Sequence, residues 1–502
     1  MSKMLSMLLP ELDVSDDILI RGLTDDSRLL SGGELYLAVS GDVFNGADFI
    51  DEAMQKNVAA VISDQPIEKS ESATWKASVY YLEDLARLRG EIASRYYDKP
   101  STKMRVIAIT GTNGKTSCSH FIAKTLALLG VPCGFIGTLG AGVEGLSGAN
   151  VELNMTTPGA IALQETLSEF SDRGVSVVSL EASSHGLTQE RLRGTDIDTA
   201  VLTNISRDHL DFHGSLEAYT EAKSRLFQFK SLQNVILNAD DDSAEAFARV
   251  VNDGVKVLTY SLHSSNADVH CKSLTLSRLG INATVVTPWG TAEIACSLLG
   301  MFNVSNVLAV ISALGCNGYA LSEIASGLAK LETVKGRMDL IALENGIDVI
   351  IDYAHTPDAL EKALSGVRSH CEGAVWCVMG CGGDRDEGKR SQMGAVAARL
   401  ADRTVVSSDN PRSEDPNKII NDVLAGVPRS QTESGEVCAL TDRSEAIAYA
   451  LGNAKSGDMV LIAGKGHEEY QELSNGRVDY SDYVEVSNWQ VGKVGDDRSE
   501  EA

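Results

Sequence analysis

The stretch Ile107-Ala-Ile-Thr-Gly-Thr-Asn-Gly-Lys-Thr-Ser117 constrains this chain more than any other. It reads as a buried strand, then a glycine turn, then a lysine and two hydroxyls that open a helix. Such a turn aims successive backbone N–H groups at one point, and the helix N-terminus adds positive potential there. Lys115 has the reach for the β- and γ-phosphates of a nucleotide, and the Thr116 hydroxyl can hold Mg²⁺. Ile109 stands where the full Walker pattern would have its first glycine, so the loop is a shortened one. The amphipathic run Ser117 to Leu129, closed by Gly130, completes the strand–turn–helix context that a phosphate site requires. The alternative is an ordinary β–α turn with a surface lysine.

At 502 residues the chain is too long for one core, and about two to four domains are expected. Hydrophobic residues make up 43% of it, enough for packed domains rather than disorder. A net charge of −26 argues against duplex nucleic acid or an anionic membrane as a main partner. No apolar run approaches the roughly 20 residues that span a bilayer. The same charge repels a nucleotide, so the phosphate site must carry local cations and Mg²⁺. The nine cysteines are scattered without metal-knuckle spacing and read as reduced thiols of a cytoplasmic protein. Met1 to Asp17 has no basic start followed by a long apolar run, so no signal peptide is expected.

Three blocks follow from the pattern: 1–100, 101–335 and 336–502. The first is a small α/β unit, with strands at Glu34–Ser40 and Ala59–Ser63 around a helix at Phe49–Lys56. In the second, strands at Arg105–Thr110, Val175–Leu180, Ala200–Asn204 and Asn234–Asn238 alternate with helices, which implies a mostly parallel sheet. Val269 to Leu298 alternates polar and apolar residues around Pro288-Trp-Gly and reads as an antiparallel flap. The third block is a second, Rossmann-like βα series, with strands at Asp348–Asp352, Ala374–Met379, Arg403–Ser408 and Asp458–Ala463. Its acidic tail, Gly495 to Ala502, reads as mobile.

Polar loops gather at the predicted strand ends, where open α/β sheets collect ligands. Glu181, in Glu-Ala-Ser-Ser-His-Gly, is either a Mg²⁺ ligand or a solvated loop glutamate. Ser183, His185, Gln189 and Arg191 offer donors to an anionic substrate. Two histidines and two aspartates crowd Thr203 to Gly214. Mg²⁺ prefers oxygen, and no spacing there supports zinc. By composition Lys223 is only a surface lysine. In the third block, Gly380–Arg390, Ser408–Pro416 and Ala463–Tyr470 bring Arg385, Arg412, Asp409 and Glu468 to three strand ends. That balance suits a zwitterion such as an amino acid, since arginine can fork onto a carboxylate while acids hold an ammonium. The alternative is surface turns with incidental charges.

Together these segments closely resemble the Mur ligases, the ATP-dependent amino-acid-adding enzymes of bacterial cell-wall synthesis. The family marks are Gly-Thr-Asn-Gly-Lys-Thr (111–116), Glu-Ala-Ser-Ser-His-Gly (181–186) and Asn-Ile-Ser-Arg-Asp-His-Leu-Asp (204–211). Phe302-Asn-Val-Ser-Asn306, Gly336-Arg-Met338 and Asp352-Tyr-Ala-His-Thr-Pro-Asp358 add to them. Asp409-Asn-Pro-Arg412 resembles the recognition motif of the branch that adds meso-2,6-diaminopimelate. A guanidinium there can pair with that amino acid's second carboxylate, which lysine lacks.

The resemblance implies three domains, with a P-loop ATPase domain in the middle and an acyl-phosphate route that exchanges ATP for ADP and phosphate. It also implies roles. Gly111, Thr112, Asn113, Gly114, Lys115, Thr116 and Ser117 would cradle the phosphates. Asn303, Asn306, Arg337, Asp352 and His355 would contact ATP across the domain boundary. Thr116 and Glu181 would hold one Mg²⁺, and His209 and a carbamylated Lys223 a second. Lys115, Lys223, His209 and Arg337 would serve catalysis. Ser27, Thr156, Thr157, Ser183, Gln189 and Arg191 would bind UDP-N-acetylmuramoyl-L-alanyl-D-glutamate. Arg385, Asp409, Asn410, Pro411, Arg412, Gly464 and Glu468 would bind diaminopimelate. A nucleotide switch or motor would leave the third-block loops without a use. A folylpolyglutamate-type ligase would not explain Asp25-Asp-Ser-Arg28. A binding protein without catalysis would have no need of Lys115, Glu181, His209 and Lys223 together.

Overall fold

The computed structural model describes residues 1–502 except 13, 15, 16, 42, 43, 67–74, 149, 154, 278, 279, 501 and 502, and omits the side chains of 492–500. Parts of the N-terminal stretch, two residues of the flap and the end of the acidic tail therefore lie outside the described residues.

The central sheet has ten strands, in the order Gly290–Cys296, Gly280–Thr287, Val269–Ser277, Lys256–Ser261, Asn234–Asn238, Thr199–Leu202, Arg105–Thr110, Val177–Glu181, Cys133–Gly137, Gly140–Glu144. Its interior is parallel, and antiparallel hairpins extend both edges. The flap read from sequence is one of those edges. The interior strands are buried on both faces, which is why they read as continuous apolar runs. Arg105–Thr110 lies between Thr199–Leu202 and Val177–Glu181, so strand order switches direction there. A crevice for ligands opens where such a switch occurs.

The C-terminal sheet runs Asp339–Ala342, Asp348–Asp352, Met459–Ala463, Val375–Met379, Arg403–Val406, Val437–Ala439, parallel after its first strand. The N-terminal sheet is four parallel strands, Gly22–Thr24, Glu34–Ala38, Ala60–Ser63 and Ser78–Tyr81. Each sheet has its own apolar core. The last helix spans Asp482–Glu500, reaching into the segment read as a mobile tail. All nine cysteines are free thiols. Among the described residues no helix is long and apolar enough to cross a membrane.

Candidate active site

The phosphate loop leaves the central strand at Thr110 and enters the helix Lys115–Leu128 through Gly114. Gly111 has φ +146°, and a Cβ there would lie 1.9 Å from the Thr203 hydroxyl. Gly114 has φ +86°, with Asn306 Oδ1 2.5 Å from where its Cβ would be. Both positions therefore exclude a side chain. Thr203 donates to the carbonyl of Asn113, and the Asn113 amide donates to Asn204 Oδ1 at 3.1 Å. The loop is thus braced by the next strand end. Lys115 Nζ folds back onto the carbonyls of Gly111 and Thr112 at 2.8 and 2.9 Å. Burial lowers its pKa, against the pull of Glu181 and Asp208. Ser117 is buried in the first helical turn.

Glu181, at the end of its strand, is buried and accepts from Thr116 Oγ1 at 2.9 Å, Thr138 N at 2.9 Å and Thr138 Oγ1 at 3.1 Å. The solvated-loop alternative is thereby ruled out. Thr138 also meets the Thr156 hydroxyl at 3.1 Å, which links Glu181 and Thr116 to the neighbouring loop. Lys223 is not a surface lysine: it is 1% exposed, and its Nζ donates to Gly111 O at 2.8 Å. Its helix, Leu216–Ser224, packs under the phosphate loop, with Tyr219 bonded to Thr112 Oγ1. Burial first, then the charge of Lys115, pushes the Lys223 pKa well below 10.5. His209 adopts φ +52°, with its ring 4.8 Å from that of His185. Burial, with His209 and Arg191 nearby, lowers the His185 pKa to about 4.

Two domains meet over this loop. Asp358 accepts from Asn113 Nδ2 at 2.9 Å and from Ser206 Oγ at 3.2 Å. Arg337 lies over the Tyr353 ring and reaches Thr116 Oγ1 at 3.4 Å. Asp352 receives the amide of Met338, and burial raises its pKa. His355 is held by the Tyr353 carbonyl, and burial keeps its pKa below 6.5. Asn306 donates to Asn303, which in turn donates to Leu299 O.

Between the domains lies a cleft of about 850 Å³. From the middle domain Thr156, Ser183, His185, Arg191 and His209 line it, and from the C-terminal domain His355, Arg385, Asp409, Asn410, Arg412, Gly464 and Glu468 do so. Eleven of the residues expected from sequence therefore share one space with His185. Thr157 sits behind it, donating to Glu181 O and Ser183 Oγ, and Arg191 donates to Thr157 O. Gln189 is bonded to Arg191. Pro411 is buried beside Gly383. Ser27 does not line this cleft; it lies in the N-terminal domain, 3.4 Å from Glu52 Oε2. Arg89 connects that domain to the cleft's rear, touching Asp25 and the Gln189 carbonyl.

Several side chains passed over in the sequence prove central here. Lys465 is fully buried, with Nζ 3.0 Å from Asn410 Oδ1, 3.1 Å from Glu468 and 3.5 Å from Asp409. Glu472 receives the Arg412 Nε at 2.9 Å. Asp358 closes the family mark Asp352–Asp358 but had no role of its own assigned, and Thr138 lies in none of the motifs.

Three family descriptions match the chain in tandem: Mur ligase family, catalytic domain (19–97), Mur ligase middle domain (109–314), and Mur ligase, glutamate ligase domain (336–466). The UDP-N-acetylmuramoyl-L-alanyl-D-glutamate–2,6-diaminopimelate ligase of Chromobacterium violaceum is 42% identical over 471 residues, 92% of this chain and 93% of that one. The enzyme of that name from Pseudomonas aeruginosa is 42% identical over 493 residues, 97% and 99% of the two chains. A solved ligase of the same name superposes with TM-score 0.72 at 36% identity, covering 98% of this chain and 99% of that one. The MurF ligase from Thermotoga maritima in complex with ADP shares the fold, with TM-score 0.64 at 18% identity over 88% and 93%. The chain belongs to the Mur ligase family. It is an ATP-dependent ligase.

Proposed function

We propose that this ligase joins meso-2,6-diaminopimelate to the D-glutamyl γ-carboxylate of UDP-N-acetylmuramoyl-L-alanyl-D-glutamate, a step of peptidoglycan precursor synthesis. The observation that carries the reading is the shared cleft. Arg412, Asp409 and Glu468 face the same space as His209 and Arg191, beside the phosphate loop.

A carboxylate and an ammonium do not condense at neutral pH, so the acid must be activated. A γ-carboxylate oxygen attacks the γ-phosphorus, the β–γ bridging bond breaks, and ADP leaves with an acyl phosphate formed. The neutral amine of diaminopimelate then attacks the acyl carbon, loses its proton, and phosphate leaves the tetrahedral adduct. Lys115 and Arg337 stabilise the negative charge that shifts between phosphate oxygens. Asp358 and Arg337, reaching from the third domain, hold it against the phosphate loop, which keeps water from the acyl phosphate.

The residues present fit Mg²⁺. Thr116 and Glu181 pair a hydroxyl with a buried carboxylate, the hard oxygen donors that this ion takes. Bound Mg²⁺ would neutralise phosphate charge there, with His209 and Lys223 serving a second ion. Lys223 can do so once carbamylated, and burial, which lowers its pKa, favours the neutral amine form that reacts with CO₂. Ser27 and its neighbours would hold the uridine end, remote from the chemistry.

The test is phosphate release with meso-diaminopimelate, L-lysine and other amino acids, in wild type and Arg412→Ala. Wild type should turn over diaminopimelate selectively. Losing a forked, charge-assisted contact of about 2–4 kcal/mol should lower kcat/KM for diaminopimelate by about 30- to 1000-fold while ADP affinity holds. ADP release that ignores both acceptor and muramoyl dipeptide would refute the reading.

A further inference from the structure

Arg412 has a guanidinium with five N–H donors in one plane, and what holds that plane decides where the free donors point. Nε donates to Glu472 Oε2 at 2.9 Å, and Nη1 donates to the Gly383 carbonyl at 2.8 Å. Both Nη2 hydrogens and one on Nη1 have no partner among the described residues. Those donors can fork onto a carboxylate, and Arg412 lines the cleft.

Glu472 sits on the hairpin Tyr470–Leu473 and Gly476–Asp479. Four hydrogen bonds fasten its first strand to the loop Asp409–Arg412. Gln471 Nε2 donates to Asp409 O at 2.6 Å, Glu472 N to Asn410 Oδ1 at 2.9 Å, Arg412 N to Glu472 O at 3.0 Å, and the side-chain pair closes the set. Arg412 itself has φ +52°, a conformation that a residue with a side chain keeps only when its surroundings impose it. The hairpin supplies the Glu472 carbonyl that the Arg412 amide bonds and the carboxylate that its Nε bonds.

We propose that Glu472 is a positioning residue for the incoming amino acid: it fixes the Arg412 guanidinium so that its open edge faces the far carboxylate of diaminopimelate. This rests on the reading of the cleft given above. Glu472 never touches the substrate; it acts through Arg412. A rival idea from the same contact is that Glu472 competes with the substrate for the guanidinium, and the two make opposite predictions.

The experiment is steady-state kinetics of the full-length Glu472→Ala and Glu472→Gln enzymes with diaminopimelate and with L-lysine, alongside KM for ATP. In Glu472→Ala, KM for diaminopimelate should rise about tenfold, as expected for a lost charge-assisted bond. Its kcat should stay within about twofold, and so should KM for ATP. The preference for diaminopimelate over lysine should fall by a similar factor. Glu472→Gln keeps an acceptor oxygen and should recover part of the loss. An unchanged or lower KM for diaminopimelate overturns the proposal, and so does an equal rise in every KM together with lower kcat. If Glu472→Ala misfolds, Glu472→Gln decides alone, by the same split. Wild-type enzyme that shows no preference for diaminopimelate would instead overturn the underlying reading of the cleft.

Discussion

Asp482→Asn should unfold the C-terminal domain far more readily than its small change in shape implies. Asp482 and Arg443 both have side chains with no exposure, and they form two parallel bonds, Nε to Oδ1 and Nη2 to Oδ2, each of 2.8 Å. The substitution keeps volume but leaves a guanidinium without its counter-ion, which in buried sites costs about 3–5 kcal/mol. Counting the bonds gives a similar figure, since two charge-assisted hydrogen bonds at about 1.5–3 kcal/mol each sum to about 3–6 kcal/mol. Domain stabilities are about 5–15 kcal/mol, so the loss is a large share. Removing both charges should behave differently. Arg443 Nη1 is buried without a hydrogen-bond partner among the described residues, so the pair's desolvation is incompletely repaid. Arg443→Met with Asp482→Leu should therefore fall near wild type or above it by about 1–4 kcal/mol. Urea unfolding can isolate this domain, because Trp376 and Trp489 pack in its core while Trp75 and Trp289 belong to the other two. Changing the latter pair to Phe leaves a domain-specific signal. The reasoning fails if Asp482→Asn shifts that transition by less than about 1 kcal/mol, or if the double variant is as unstable as the single one.

Two further outcomes are expected. Lys223 should take up labelled carbon from ¹³C-bicarbonate and show a carbamate resonance, which Lys223→Arg abolishes; an amine that stays unlabelled under saturating bicarbonate would contradict its proposed role. His120, buried against Phe135 in the phosphate-loop helix, has its pKa lowered from 6.5 to about 4, chiefly by burial and then by Lys124. Between those values the unfolded chain binds a proton that the folded one refuses, so stability is full above pH 6.5 and falls as pH drops toward 4. The loss should reach about 3 kcal/mol at most, and His120→Phe should flatten that slope in acid unfolding curves.

The phosphate loop was legible because its backbone requirements appear as residue types. Gly111 and Gly114 mark positive φ, and the apolar strand and helix on either side give the context. The flap was legible from alternation around Pro288-Trp-Gly. Lys223 was not, since its helix looks like any polar surface helix and only its place under Gly111 sets it apart. The hairpin Cys133–Gly137 and Gly140–Glu144 was not among the expected strands, since its glycines give no apolar pattern. They are close-approach positions: a Cβ at Gly134 would meet Phe170 at 2.6 Å, and one at Gly137 would meet Glu181 at 2.1 Å. The hairpin bearing Glu472 has no apolar face for a sequence pattern to reveal, and its contact with Arg412 joins residues 60 positions apart.

Several charges in and around the cleft already have partners within the protein. Lys465 lies between Asp409 and Glu468, Arg412 on Glu472, and Lys115 on its own loop. A substrate group entering such a site exchanges one hydrogen bond for another, and the net gain per exchange is modest, about 1 kcal/mol. Affinity therefore comes from the donors that remain free, and selectivity from what happens when they stay unmatched. With diaminopimelate the open edge of Arg412 is met by a carboxylate. With lysine that edge has no carboxylate to meet, so its N–H donors stay unmatched beside the ammonium that both amino acids carry. That penalty adds to the loss of the contact itself. Discrimination on these terms depends on how firmly Arg412 is held: a guanidinium free to swing toward water would escape the penalty and accept lysine.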